Sequence, residues 1–202
     1  MDVDYPPEPW DLHGHGCVSL WTVRVRDLPA LPDGVRPVTA FGRALVTTAF
    51  VDYLPGSLLP YHELLAGVLV RRGARPGLSI THIWVDSPES RAGGRRLWGI
   101  PKELADLTIV PAPAFSAAAT GIGEARHTSG GRGVPVLVSG PVFQALDGAL
   151  ARTPVRARGR GRFAGVRWRI APDGPLGWLH GREPFLGLSV VSFRLRFGPR
   201  AR

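Results

Sequence analysis

The chain is poor in sulfur and in primary amines. Among its 202 residues there is one cysteine, Cys17. A lone thiol forms no internal disulfide and supplies no Cys-x-x-Cys metal pair, and such usage is compatible with a reducing, cytoplasmic setting. Of the 25 basic residues only Lys102 is a lysine, and the rest are arginine. No apolar run approaches the roughly 18 residues of a membrane-spanning helix, so no membrane partner is expected. The opening stretch MDVDYPPEPWDLHGHG is acidic and proline-bearing, without the apolar centre of a secretory leader.

What is present describes a folded β protein. A hydrophobic content of 44% excludes general disorder. The 26 glycines and 20 prolines are scattered between apolar runs, which predicts many short strands and turns. Residues 1–16 read as an irregular arm and 17–202 as a single domain. Strands are expected at 17–26, 43–53, 61–72, 78–86 and 185–198, with two more in ADLTIVP and FSAAAT. Ser87-Pro88-Glu89 marks the start of a short helix, with Ser87 as cap. The glycine-rich stretch 121–133 reads as a loop or hairpin tip. VPVLVSG (134–140) is apolar and short, and a helical turn is expected in PVFQALDGAL. Residues 154–170 read as a hairpin turning near Gly159–Gly161. Strands and helices do not alternate regularly, so a doubly wound sheet is not expected. The fold class is mostly β (α+β): a curved, mostly antiparallel sheet or barrel with few short helices.

The net charge of +9 raises the possibility of a polyanion partner. The densest stretch, Arg152 to Arg169, alternates arginine with Val, Ala, Gly, Phe or Trp, as one solvated strand face would. No specific nucleic-acid partner is expected from it.

The solitary lysine is the better signal. A guanidinium does not form imines with ketones, whereas an amine made neutral by burial or neighbouring cations does. Lys102 lies in LWGIPKELA, an apolar segment suited to burying it, with Arg95 and Arg96 upstream and Glu103 adjacent. No zinc-enzyme spacing, nucleophile elbow or phosphate loop is present, so neither a metal nor a cofactor is expected.

GRRLWGIPKELADL (94–107), with PYHELLAGVLV (60–70) and ITHIWVDSPESRAG between them, resembles the acetoacetate decarboxylase-like family. The resemblance implies that Lys102, in Gly99-x-Pro101-Lys102, forms a Schiff base with a small oxo acid. It implies that Glu63, in Tyr61-His62-Glu63, lines the same pocket. It also implies a homo-oligomer. Arg95 is then a candidate for a substrate carboxylate, and Trp98, Tyr61 and Trp84 for pocket walls. Glu103 stands where the classical decarboxylase has a second lysine, and is a second acid–base candidate. Arg96 stands where that enzyme has a glutamate. A further acidic pocket residue of the family falls near Thr48, and its N-terminal arginine near Cys17, with Arg24 or Arg26 as replacements. The expected function is an imine-forming carbon–carbon lyase, by decarboxylation or by aldol and dehydration chemistry. The alternative is a non-catalytic ligand-binding protein that keeps the fold.

Overall fold

The computed structural model describes residues 3–130 and 132–201. In chain order its strands are β1 (Trp10–Arg24), β2 (Arg36–Pro37), β3 (Thr39–Ala40), β4 (Arg43–Tyr53), β5 (Tyr61–Arg72) and β6 (Arg75–Val85). The helix α1 (Pro88–Trp98) follows, then β7 (Lys102–Leu104), β8 (Leu107–Val110), β9 (Ala114–Ala119) and β10 (Gly123–Thr128). The long hairpin β11 (Val134–Leu146) and β12 (Ala149–Phe163), then β13 (Arg167–Ile170) and β14 (Leu186–Phe197), complete it.

Seven strands close on themselves in the order β5-β4-β1-β14-β12-β11-β6, with β6 returning to β5. All these pairings are antiparallel except β6 with β11. A second antiparallel sheet, β13-β10-β9-β8, lies apart from that ring. The fold is therefore the expected curved, mostly antiparallel barrel.

Alternation along the strands feeds two apolar clusters. One holds Trp10, Tyr53, Tyr61, Ile83, Val142 and Trp98, with Val155 and Phe193 against it, so every barrel strand contributes. It is the barrel interior. The other holds Trp21, Phe50 and Leu64 together with Phe115, Ala125 and Ile170, and glues the small sheet to the outside. Cys17 belongs to this outer cluster, where burial pushes its thiol up to about 12.

Several local expectations are corrected. The first strand begins at Trp10, not after residue 16, because Trp10 and Leu12 alternate into the interior. The segment 121–133 is not one loop, since β10 pairs on both sides within the small sheet. No helical turn occurs in PVFQALDGAL. The hairpin turns there instead, at Asp147 and Gly148, whose φ values of 51° and 75° suit a two-residue turn of the primed kind. β12 then runs straight through Gly159 and Gly161. Gly159 serves close approach, since a Cβ there would lie 2.2 Å from the Ser192 carbonyl oxygen. Three arginines of β12, Arg156, Arg158 and Arg160, do form a solvated face, while Arg152 and Arg162 are partly buried. Arg156 and Arg158 lie opposite Arg196 and Arg194 of β14, all exposed, and Asp11 pairs with Arg196.

His127, in the small sheet, is 6% exposed and stacks on Phe115 at 4.8 Å. Neither ring nitrogen has a hydrogen-bond partner among the described residues. Burial lowers its affinity for a proton below the ordinary imidazole range. A base so depressed contributes stability above its unfolded pKa of about 6.5, lost as the pH falls. His127→Phe keeps the stack and removes the unsatisfied nitrogens. We expect it to raise the unfolding free energy by about 1 kcal/mol at pH 7.5 and by more at pH 5. Thermal unfolding at both pH values checks this, and a variant less stable than wild type at pH 5 contradicts it.

Candidate active site

The site is built mainly from β5, α1 and β7. β5 presents Tyr61 and Glu63 inward, two residues apart on one face. α1 starts at a side-chain cap, the Ser90 N–H donating to Ser87 Oγ at 3.0 Å, with Pro88 in the first turn. It stops at Gly99, whose φ of 68° only glycine adopts cheaply. Pro101 cannot extend the helix, and the chain leaves as β7, parallel to β6 with Lys102 beside Ile83. Lys102 thereby points into the interior.

Lys102 and Glu63 are each only 3% exposed. The Lys102 Nζ donates to Glu63 Oε2 at 2.9 Å, Tyr61 Oη at 3.1 Å and Ser90 Oγ at 2.8 Å. The Glu63 carboxylate also accepts from the Tyr53 and Tyr61 hydroxyls, each at 3.3 Å. Burial first, and the Glu63 charge second, push both phenols well above their ordinary range, so they stay neutral donors. The amine sits 4.8 Å from the centre of the Tyr61 ring and 5.9 Å from that of Trp10. Gly94 forms the wall along the lysine stem, where a Cβ would stand 2.8 Å from Lys102 Cδ. Gly93 makes the same allowance for Trp10, at 2.5 Å. A buried amine held against a carboxylate and two hydroxyls can exchange protons without bulk water, which is what carbonyl condensation requires.

The model of the acetoacetate decarboxylase (ADC) family matches residues 23–172. The chain belongs to that family. No curated protein matches it in sequence. Among solved structures it is similar to the enduracididine biosynthesis enzyme MppR complexed with the condensation product of pyruvate and imidazole 4-carboxaldehyde. That match has 17% identity and a TM-score of 0.71, over 97% of this chain and 89% of that one. An acetoacetate decarboxylase-like enzyme from Sphingomonas wittichii RW1 matches with 18% identity and a TM-score of 0.67, over 99% and 93% of the two chains. The acetoacetate decarboxylase from Legionella pneumophila matches with 14% identity and a TM-score of 0.67, over 100% and 92%. At these identities the likeness is one of fold.

Of the residues that sequence pointed to, this ADC-family protein brings together Lys102, Glu63 and Tyr61. Trp98 shares the interior with them, edge-on to Trp10 at 4.8 Å, its indole N–H donating to Glu8. Glu103 does not reach the amine. It follows Lys102 on a strand, so it points to the opposite side, where it pairs with Arg95. Arg95 also donates from Nε to the Lys102 carbonyl, so it braces β7 from outside and does not face the amine. Thr48 is buried in the outer cluster's layer, accepting from the Trp21 indole at 2.9 Å. Even positions of β4 face that layer, so ungapped counting misplaced it. Trp84 lies in the same outer layer, stacked on His82. Arg24 and Arg26 are exposed and supply no interior cation. His62 faces away from Glu63 and bonds Asp86 at 2.6 Å.

The site also contains Tyr53, Trp10, Ser90 and Gly94, which sequence reasoning missed. Tyr53 is opposite Tyr61 in the β4–β5 register, a pairing that only the fold reveals. The Gly93-Gly94 pair was legible as an anomaly, since two glycines inside one helix are costly without a contact that needs them. No group of three or more His, Cys, Asp or Glu among the described residues is arranged to hold a metal. No helix among them is long and apolar enough to cross a membrane.

Proposed function

We propose that this protein is an imine-forming lyase acting on a small oxo acid through Lys102. The observation that carries the reading is the amine itself: the chain's only lysine, buried, with its nitrogen 2.9 Å from a buried carboxylate. Membership of a family named for a decarboxylase agrees with it, and a structural relative is described in complex with pyruvate.

Glu63 takes a proton from the Lys102 ammonium and leaves a neutral amine. The amine attacks the ketone, and loss of water gives a protonated imine, which is an electron sink. From there either a β-carboxylate leaves as carbon dioxide, or a neighbouring C–H proton is removed and the enamine adds to an aldehyde. Glu63 is placed to hold the proton in both routes, and the Tyr53 and Tyr61 hydroxyls stabilise its charge between steps. A cleft of about 670 Å³, bordered by Tyr53, Pro60, Tyr61, Asp86 and Ser87, is the proposed approach for substrate.

Borohydride trapping tests this. Incubation with acetoacetate, pyruvate or a longer oxo acid, followed by reduction, should convert the imine to a secondary amine. The peptide containing Lys102 then gains the mass of the reduced substrate. No adduct across the panel would sink the imine mechanism and favour a ligand-binding protein whose fully hydrogen-bonded lysine serves only as a counter-ion.

A further inference from the structure

An ammonium has three N–H donors, and the Lys102 Nζ has three oxygen acceptors. The neutral amine has two donors and a lone pair. When Lys102 gives a proton to Glu63, that oxygen stops accepting from it, and the two remaining N–H groups keep the Tyr61 and Ser90 hydroxyls as acceptors. The Tyr61 hydroxyl is already committed as a donor to Glu63. Ser90 is different. Its hydroxyl makes the shortest of the three contacts, at 2.8 Å, and its hydrogen turns freely about the Cβ–Oγ bond. Its position does not drift, because its backbone N–H is fixed on Ser87 Oγ. Ser90 is fully buried, so no bulk water competes for the role.

Resting on the imine-forming reading above, we propose that Ser90 is a catalytic residue that relays a proton from the lysine nitrogen to the substrate oxygen. Attack of the neutral amine leaves an extra proton on nitrogen and an alkoxide on the former ketone carbon. Ser90 Oγ accepts the proton from nitrogen and passes its own hydroxyl hydrogen to the alkoxide. The serine ends unchanged and the product is a neutral carbinolamine. Glu63, carrying the proton it took from the ammonium, then protonates the carbinolamine hydroxyl. Water leaves, the nitrogen lone pair forms the C=N bond, and Glu63 is again a carboxylate.

The test is the time course of borohydride-trapped adduct with pyruvate and with acetoacetate. Wild type is compared with Ser90→Ala and Ser90→Thr in H₂O and D₂O. We expect Ser90→Ala to slow adduct formation by about 10²-fold or more. We expect it to lose the wild-type solvent isotope effect while reaching the same final yield, and Ser90→Thr to recover most of the rate. A purely structural role would lower the yield and leave the isotope effect in place. Equal rates in wild type and Ser90→Ala would overturn the relay, as would a Ser90→Thr variant as slow as Ser90→Ala. If Ser90→Ala does not fold, Ser90→Thr against Ser90→Val replaces it, and equal rates in that pair overturn the relay. Absence of any wild-type adduct is a separate result that strikes the imine reading itself.

Discussion

Glu63→Leu is expected to lower the free energy of unfolding by about 3–5 kcal/mol, and adding Lys102→Met to restore most of that loss. Both charged side chains are only 4% exposed. Removing the carboxylate leaves an ammonium in the barrel interior with two hydroxyls and no counter-charge. It also deprives the Tyr53 and Tyr61 hydroxyls of their acceptor. Methionine resembles the lysine stem in volume, so the double variant exchanges a desolvated ion pair for apolar contact, which is commonly neutral or stabilising. Urea unfolding of the four proteins in the cycle gives the coupling directly. A single Glu63→Leu variant as stable as wild type would show that the pair is hydrated in solution, against the burial described.

The second large effect concerns chemistry. Lys102→Arg keeps the positive charge but not the nucleophile, since a guanidinium forms no imine. We expect it to abolish borohydride-trapped adduct and to lower turnover of any oxo acid the wild type accepts by at least about 10⁴-fold. The bulkier planar head also has to fit between Gly94, Tyr61 and Trp10, so Lys102→Met is the companion that separates crowding from lost nucleophilicity. Trapped mass and single-turnover rates for both variants decide it. An Arg variant retaining a tenth of wild-type turnover would mean that charge, not imine formation, supplies the function.

The central pair was readable before any fold was known, because Glu63 and Lys102 each sit in a short segment with a recognisable neighbour pattern. The remainder of the site depends on register. Tyr53 meets Tyr61 only because β4 and β5 pair at Tyr53–Tyr61, and strand patterning gives length without register. Glu103 was misread because 102–104 was not recognised as a strand; on a strand, adjacent residues cannot share a pocket. One compositional signal went unused. The chain has only three tyrosines, and two of them converge on the carboxylate that pairs with its only lysine. In the fold at large, Asp147-Gly148 carried the turn chemistry of the long hairpin, while the more conspicuous Gly159 and Gly161 marked close strand contact.

Gly94 carries a consequence for the protein's descent. Its missing side chain is the space through which the Lys102 stem runs, so the two positions constrain each other across generations. A lineage that abandons the amine is free to place alanine or serine at 94, and once it does, the lysine cannot return in this pose. Reversion to this pose then requires glycine at 94 as well as lysine at 102. Loss of the chemistry in such a lineage works as a ratchet, and the residue at position 94 records whether it has turned.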